Sequence, residues 1–481
     1  MRFWIYLSSL VCITAAAFSK SPHIVFVLLD DMGYGDIGAF NPDSKIKTPR
    51  MDELAAEGKI FTDAHAPGPL CHMSRYGLLT GRYPFRTDVS VWRNTPLIDE
   101  DQVTIASLLK SRGYSTSMVG KWHLGFHEGE DYTTPLHGGP VDRGFDSFFG
   151  IRASTDIPPY FYIRGREAVA PPTDRIEARG TDGWTRIQGE FIRAGGIAPD
   201  LKLEDVLPRF TDEAIQVIES YKSGTTCCEN PLMLYLAYPA PHTPWLPSEE
   251  YAGKSKVPLY GDFMMMVDAE IGRVLDTIES AGMEEDTLFI LTSDNGPVWY
   301  PSDIERYGHD SVGGLRGMKS DAWEGGHRMP LILRWPAVIA GGSTSDQLVT
   351  FTDFLATFAD LTHAALPEQA GPDSFSFIHE ITGDRSKTTP VRQSAVMSSG
   401  SRGLMMIRTG DWKFIDGQGS GGFSERLRGD KDAGNEPDGQ LYNLKEDLAE
   451  SNNLFLQNPE KVDQLRREMK TIVNSPKSRF N

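Results

Sequence analysis

Cysteine is scarce in this chain of 481 residues, which holds four in all. Cys12 lies in the apolar N-terminal stretch, leaving Cys71, Cys227 and Cys228. Adjacent cysteines close too small a ring for unstrained disulfide geometry. No disulfide framework therefore organises the fold, and Cys71 has no evident structural partner. Long apolar runs are also missing. Past Ala17 no segment is apolar for long enough to cross a bilayer. Positive charge is in deficit, with 48 Lys and Arg against 66 Asp and Glu and a formal net charge of -18. That balance excludes a general nucleic-acid binder, and it means that an anionic ligand must be drawn in by local cations. No internal repeat recurs.

The length suits either two to three domains or one large α/β domain with an appendage. Hydrophobic residues make up 40% of the chain, enough to bury a large core. The N-terminus has one positive charge, an apolar stretch to Ala17 and a small-residue site at Ala17-Phe18-Ser19. This reads as a secretory signal peptide over residues 1–19, and it predicts export to a periplasmic, extracellular or lumenal space. Leu10-Val11 before Cys12 is a poor lipoprotein box, so cleavage is favoured over lipid anchoring.

Ile24 to Leu29 is a β-branched apolar run ending in Asp30-Asp31, as expected of a strand buried on both faces of a parallel sheet. Thr287 to Leu291 repeats the pattern and leads into Ser293-Asp294-Asn295-Gly296. Further strands are expected over Ser115–Val119, Leu232–Ala237 and Pro330–Arg334. Helices are expected over Pro49–Gly58, Ser74–Thr80, Val103–Arg112, Phe210–Ser223 and Phe263–Ser280. Strands alternating with helices predict an α/β fold with a large, mostly parallel sheet. Its chemistry belongs in the loops beyond the carboxyl ends of the strands, where both acidic pairs fall. Residues 20–385 form the expected catalytic domain. Residues 386–481 form a small C-terminal α+β subdomain of short antiparallel strands and a final helix from Pro459. Gly417 to Gly439 reads as a long exposed loop. Ile157 to Leu207, dense in Pro, Gly and Arg, reads as substrate-facing loops.

Asp30, Asp31, Asp294 and Asn295 are hard oxygen donors. Two acidic pairs at strand ends repel each other unless a cation lies between them. Oxygen-only ligation favours Ca²⁺ or Mg²⁺ over zinc, and outside the cytosol Ca²⁺ is the expected occupant. Taken singly, each pair also reads as a turn signal. Arg75 lies four residues after Cys71, so on a helix the two share a face. Lys121 and His123, in Gly120-Lys121-Trp122-His123, point the same way along an extended segment. Prolines on both sides of His242-Thr243 hold His242 rigidly, which suits a positioned acid. Lys319 offers a second cation near Gly-rich backbone, as expected where charge builds on transferring oxygens. Glu324 and Arg328 read as structural. His309 reads as a substrate contact or a loop cap.

These pieces, in this order, resemble the type I, formylglycine-dependent sulfatases. The run Cys71-His72-Met73-Ser74-Arg75, closed by Leu78-Leu79-Thr80-Gly81-Arg82, matches the segment in which that family converts a cysteine to formylglycine. The resemblance extends from about Pro22 to the C-terminal helix and departs at Met73, where the family usually has Pro or Ala. It implies an alkaline-phosphatase-like sandwich, a formylglycine-generating or equivalent maturation enzyme as partner, and one Ca²⁺ bound by Asp30, Asp31, Asp294 and Asn295 beside the modified Cys71. It further implies that Arg75, Lys121, His123, His242 and Lys319 surround the sulfate, and that Ser154 contacts the site. An imidazole at His123 would serve as base, and one at His242 would protonate the departing alcohol oxygen or hold a sulfate oxygen. Asp156-Ile157-Pro158-Pro159-Tyr160 and Trp323 to Arg328 resemble segments of carbohydrate sulfatases of the 6-O-sulfated galactose or N-acetylgalactosamine type. Arg152, Arg164 and Arg166 are candidates for further sulfates of an anionic polysaccharide, or solvated loop charges. Two other readings stand beside this one: a phosphatase or phosphonate hydrolase of the same fold, and a non-catalytic glycan-binding relative with Cys71 left as a thiol.

Overall fold

The computed structural model describes residues 21–89, 95–129, 131–221, 230–384, 389–400, 403–424 and 437–479. The expected signal peptide and the Cys227-Cys228 pair lie outside the described residues. No helix among the described residues is long and apolar enough to cross a membrane.

Ten strands form one large sheet. Its principal elements, in chain order, are β1 (His23–Asp30), α1 (Pro49–Glu57), α2 (Cys71–Thr80), α3 (Ile105–Ser111), β2 (Ser115–Lys121), β3 (Ser147–Ile151), α4 (Val206–Glu219), β4 (Leu232–Pro241), α5 (Tyr260–Ser280), β5 (Thr287–Ser293) and β6 (Leu331–Arg334). The central order is β5-β1-β4-β2-β3, with every neighbour parallel. All eight residues of β1 are buried, as are all of β4 and β5. Helices cover both faces, so these strands touch no water and read as unbroken apolar runs. Phe26 shows the density of this core: its ring lies 4.9 Å from Phe354 and 5.9 Å from Tyr235.

Local chemistry sets the element ends. Pro49 opens α1, where its missing N–H costs nothing. Thr104 caps α3 through a reciprocal bond pair with Ser107. Gly81, left-handed at φ 63°, ends α2. β6 runs antiparallel to β5. The chain from Asp294 to Pro330 stays beyond the carboxyl end of the sheet and makes no crossover, so it can only re-enter running backwards.

The C-terminal region forms a separate antiparallel sheet in the order β7 (Ser394–Ser398), β8 (Met405–Thr409), β9 (Trp412–Ile415) and β10 (Gln440–Asn443). Helix α6 (Pro459–Asn474) lays Val462, Leu465, Met469 and Ile472 against Val396, Ile407, Phe414 and Leu441. The segment expected to be an exposed loop from Gly417 is folded inward over its described part. Ser420 is buried, its carbonyl accepts from Ala322 N at 2.8 Å, and Ser424 donates to Asp321. Glycine permits this approach: a Cβ on Gly422 would meet Ser320 backbone at 2.3 Å.

Candidate active site

The carboxyl ends of β5, β1, β4 and β2 lie side by side, and each releases candidate residues into one place. Leu29 of β1 pairs with Ser293 of β5, which sets Asp30-Asp31 beside Asp294-Asn295. His242 follows β4, Lys121 ends β2 and His123 comes two residues later. Cys71 is the first residue of α2, and Arg75 sits one turn on. Lys319 arrives on a loop whose backbone is tied on both sides: Lys319 N donates to Pro297 O and Ser320 N to Pro69 O, each at 2.8 Å.

The Cys71 thiol donates to Asp30 Oδ1 at 3.2 Å, and Lys319 Nζ lies 3.5 Å from the sulfur. Lys319 Nζ also pairs with Asp31, 2.6 Å from Oδ1. Lys121 Nζ pairs with Asp30 Oδ2. Arg75 donates from Nε to Asp294 Oδ2 at 2.9 Å and from Nη1 to Lys121 O at 2.8 Å. Asn295 Nδ2 donates to Asp31 Oδ1 at 2.6 Å. His242 Nδ1 lies 2.6 Å from Thr243 O; a carbonyl only accepts, so Nδ1 carries the proton. Its Nε2 faces Asp31 Oδ2 at 3.7 Å. The backbone is strained where the chain turns toward this centre. Asp31 (φ 66°), His123 (φ 58°) and Ser320 (φ 76°) are all left-handed, a conformation uncommon for non-glycine residues.

Burial raises the Asp30 carboxyl, but Lys121, His242, Arg75 and Lys319 outweigh it and hold the group well below the usual range. Asp294 goes the other way, pushed to about 6 by burial and by the Asp30 charge, against the pull of Arg75. Burial drives His123 down, helped by Lys121, His72 and Arg75, so its imidazole is neutral near pH 7. Burial, with Asp294 and Asp30, drives the Cys71 thiol well up. An unmodified Cys71 is thus a protonated thiol and a poor nucleophile.

Asp30, Asp31, Cys71 and His242 present ligand atoms within 4.8 Å of one another. Asn295 Oδ1 is buried with no hydrogen-bond partner among the described residues, as expected of an oxygen reserved for a cation. Three carboxylates and this amide oxygen fit a hard divalent ion. The second buried group of this kind, His65, Glu324 and His327, is bonded instead to Lys413 and Arg408 and reads as structural. Glu324 and Arg328 pair at 3.1 Å within it.

A cavity of about 180 Å³ opens over the centre, lined among others by Asp31, Cys71, His123, Ser154, His242 and Lys319. His309 is not among the residues brought together. It is fully buried, with Nε2 2.9 Å from Asp36 Oδ1 and Nδ1 accepting from Lys45 N at 3.3 Å. Both ring nitrogens bond within the loop, as in the loop-cap alternative of the two readings. Arg152 is committed to Glu128 at 2.8 Å, Arg164 to Glu213 at 2.6 Å and Arg166 to Asp142 at 2.5 Å. The cavity adds His72, Asp156, Ile187, Arg193, Val298 and Phe423, which the sequence did not single out as site residues. His72 had one signal, its place next to Cys71; Phe423 had none.

Residues 22–364 match the family model described as Sulfatase. The chain is 32% identical to an N-acetylgalactosamine-6-O-sulfatase of Bacteroides thetaiotaomicron, over 96% of this chain and 94% of that protein. It is also 32% identical to human arylsulfatase A, over 82% of this chain and 75% of that one. A solved structure from work on the metabolism of multiple glycosaminoglycans by Bacteroides thetaiotaomicron superposes with TM-score 0.83 at 30% identity, covering 95% of this chain and 100% of that one. The alternating fold, the acidic strand ends around Cys71 and these likenesses agree: the chain belongs to the sulfatase family and is a sulfuric ester hydrolase.

Proposed function

We propose that this sulfatase acts outside the cytosol on a sulfated carbohydrate, with Cys71 matured to formylglycine and a Ca²⁺ ion held by Asp30, Asp31, Asp294 and Asn295. The observation that carries the reading is the position of the Cys71 side chain, 3.2 Å from Asp30 and 3.5 Å from Lys319 at the floor of the cavity. Similarity to N-acetylgalactosamine-6-sulfatases supports the carbohydrate assignment. Export rests on the N-terminal segment, and the division at residues 385 and 386 rests on the change of sequence pattern. A maturation enzyme that oxidises the unfolded Cys71 segment is the required partner.

Formylglycine, once formed at Cys71, would supply a hydrated aldehyde in place of the raised, protonated thiol. A divalent ion held by Asp30, Asp31, Asp294 and Asn295 would supply positive charge to offset that of the sulfate. The chain's own residues do the rest. Lys121, Lys319 and Arg75 bring three fixed cations to a buried site, where charge acts through little water. Neutral His123 is able to take a proton. His242 keeps its Nδ1 proton on Thr243 O, so Nε2 is the atom that delivers a second proton to the departing alcohol oxygen when the ring is charged. Ser154 lends a buried hydroxyl at the wall.

Intact mass of the tryptic peptide holding Cys71, from protein matured in its host, tests the nucleophile. A mass lower by the thiol-to-aldehyde difference is expected, and Cys71→Ala abolishes turnover of sulfate esters while the thermal midpoint holds. Full activity in that variant would overturn the mechanism.

A further inference from the structure

The cavity over Cys71 has a mixed lining. Ile157, Ile187, Val298 and Phe423 contribute apolar surface. Asp156 and Arg193 also line it, and no step so far uses them. Arg193 Nη1 donates to Asp156 O at 3.1 Å and pairs with Asp156 Oδ2, while its guanidinium lies 4.9 Å over the Phe191 ring. These contacts fix the guanidinium, yet the side chain remains 46% exposed and keeps donors for a ligand. Asp156 is the converse. Its side chain is 5% exposed, and its buried Oδ1 accepts no hydrogen bond from any described residue. His242 Nδ1 lies 4.0 Å from that oxygen.

We infer that Arg193 and Asp156 recognise a hydroxyl of the sugar ring that carries the sulfate, an inference that rests on the carbohydrate-sulfatase reading above. A hydroxyl both donates and accepts, so one group satisfies both partners: it donates to Asp156 Oδ1 and accepts from Arg193. A second sulfate or a uronate carboxylate has no proton to give, so Oδ1 would face it as an unpaired charge. The pair therefore selects a neutral hydroxyl over a further anion, although a half-exposed arginine alone would favour the anion. Contact with His242 places the recognised ring beside the departing alcohol. The apolar residues of the same cavity suit the C–H face of a pyranose. Because the hydrogen bonds are charge-assisted, deleting the hydroxyl leaves a buried carboxylate oxygen unmatched, and discrimination is strong.

The test uses the matured full chain and methyl glycosides of 6-sulfated galactose and N-acetylgalactosamine, each with its singly deoxygenated analogues. The wild type is expected to prefer one parent to one particular deoxy analogue by about 10-fold or more in kcat/KM. Arg193→Met lowers kcat/KM on that parent by about 10-fold or more and on that analogue by less than about 3-fold, compressing the preference. Asp156→Asn gives the same compression at the same ring position, and the thermal midpoints of both variants report folding. Equal losses on parent and analogue, or an unchanged preference, overturn the assignment. A wild type inert on every sugar sulfate is a different result: it removes the carbohydrate reading, and this inference falls with it.

Discussion

Lys413→Met tests how the C-terminal sheet holds the catalytic loop. Lys413 is wholly buried on β9, with Nζ 3.0 Å from Glu324 Oε1 and 2.8 Å from Glu450 Oε1. One cation thus serves two buried carboxylates. Glu324 also accepts from Arg408 at 3.2 Å and Arg328 at 3.1 Å; burial raises its carboxyl, but Lys413 and then Arg408 hold it well below its usual range. Glu450 receives less help; burial and then the Glu324 charge push it up to about 7 despite Lys413. Its Oε2 accepts from Glu324 N at 2.6 Å, which fastens the end of the loop that carries Lys319. Methionine keeps the stem volume and removes only the charge, stranding two carboxylates. Breaking a buried ion pair from one side costs about 3–5 kcal/mol, and urea unfolding at pH 7.5 should show a loss of that size.

The pH dependence gives the sign. A carboxyl whose folded pKa stands above its free value of 4.5 binds its proton more tightly when folded. Its stabilising contribution is complete below about 4.5 and is lost as pH rises through about 7. The wild type should therefore lose some stability across that window, and Glu450→Gln should flatten the slope. The Lys413→Met loss should shrink at pH 5.5, where Glu450 is protonated, and adding Glu450→Gln should recover at least about 1 kcal/mol at pH 7.5. A loss equal at both pH values, with no recovery in the double variant, would refute the shared-cation account.

Removing the unmatched oxygen in Asn295→Ala should weaken Ca²⁺ binding. The wild type should gain up to about 4 kcal/mol at a thousandfold excess of Ca²⁺ over Kd, the variant much less; calorimetry with Ca²⁺ or a chelator measures both, and identical responses would remove Asn295 from the donor set. Phe26→Ala, in the fully buried β1 and packed on Phe354 at 4.9 Å, should cost about 3–5 kcal/mol in urea unfolding, and a loss under about 1 kcal/mol would mean that the central sheet repacks freely.

What the sequence disclosed follows from what each feature depends on. β1 and β5 announce themselves because burial on both faces demands apolar residues in unbroken runs, and the acids after them stand out by contrast. Their adjacency was readable because parallel strands put like ends together. The direction of β6 was not, since it depends on where the preceding loop travels. The left-handed turns at Asp31, His123 and Ser320 leave no mark either, because nothing in their side chains requires them. The cavity wall was least legible. Asp156, Arg193, Ile187, Val298 and Phe423 come from separate loops and meet only in three dimensions. His309 stayed open between two roles because its Gly-His-Asp setting does not reveal its partners, Asp36 and Lys45, which engage both nitrogens.

Charge balance links these observations to the choice of ligand. Asp30, Asp31 and Asp294 bring three formal negative charges, and Arg75, Lys121 and Lys319 bring three positive ones. A neutral cluster has no reason to draw an anion through the field of a chain at -18. Adding one divalent ion turns the same cluster to a net charge of two positive, at a depth where water screens little. The carboxylates are then engaged by the ion, and the lysines and arginine are freer to serve a sulfate. Cation binding and anion binding should thus be coupled in this site, with Ca²⁺ tightening inorganic sulfate and sulfate tightening Ca²⁺ by the same factor.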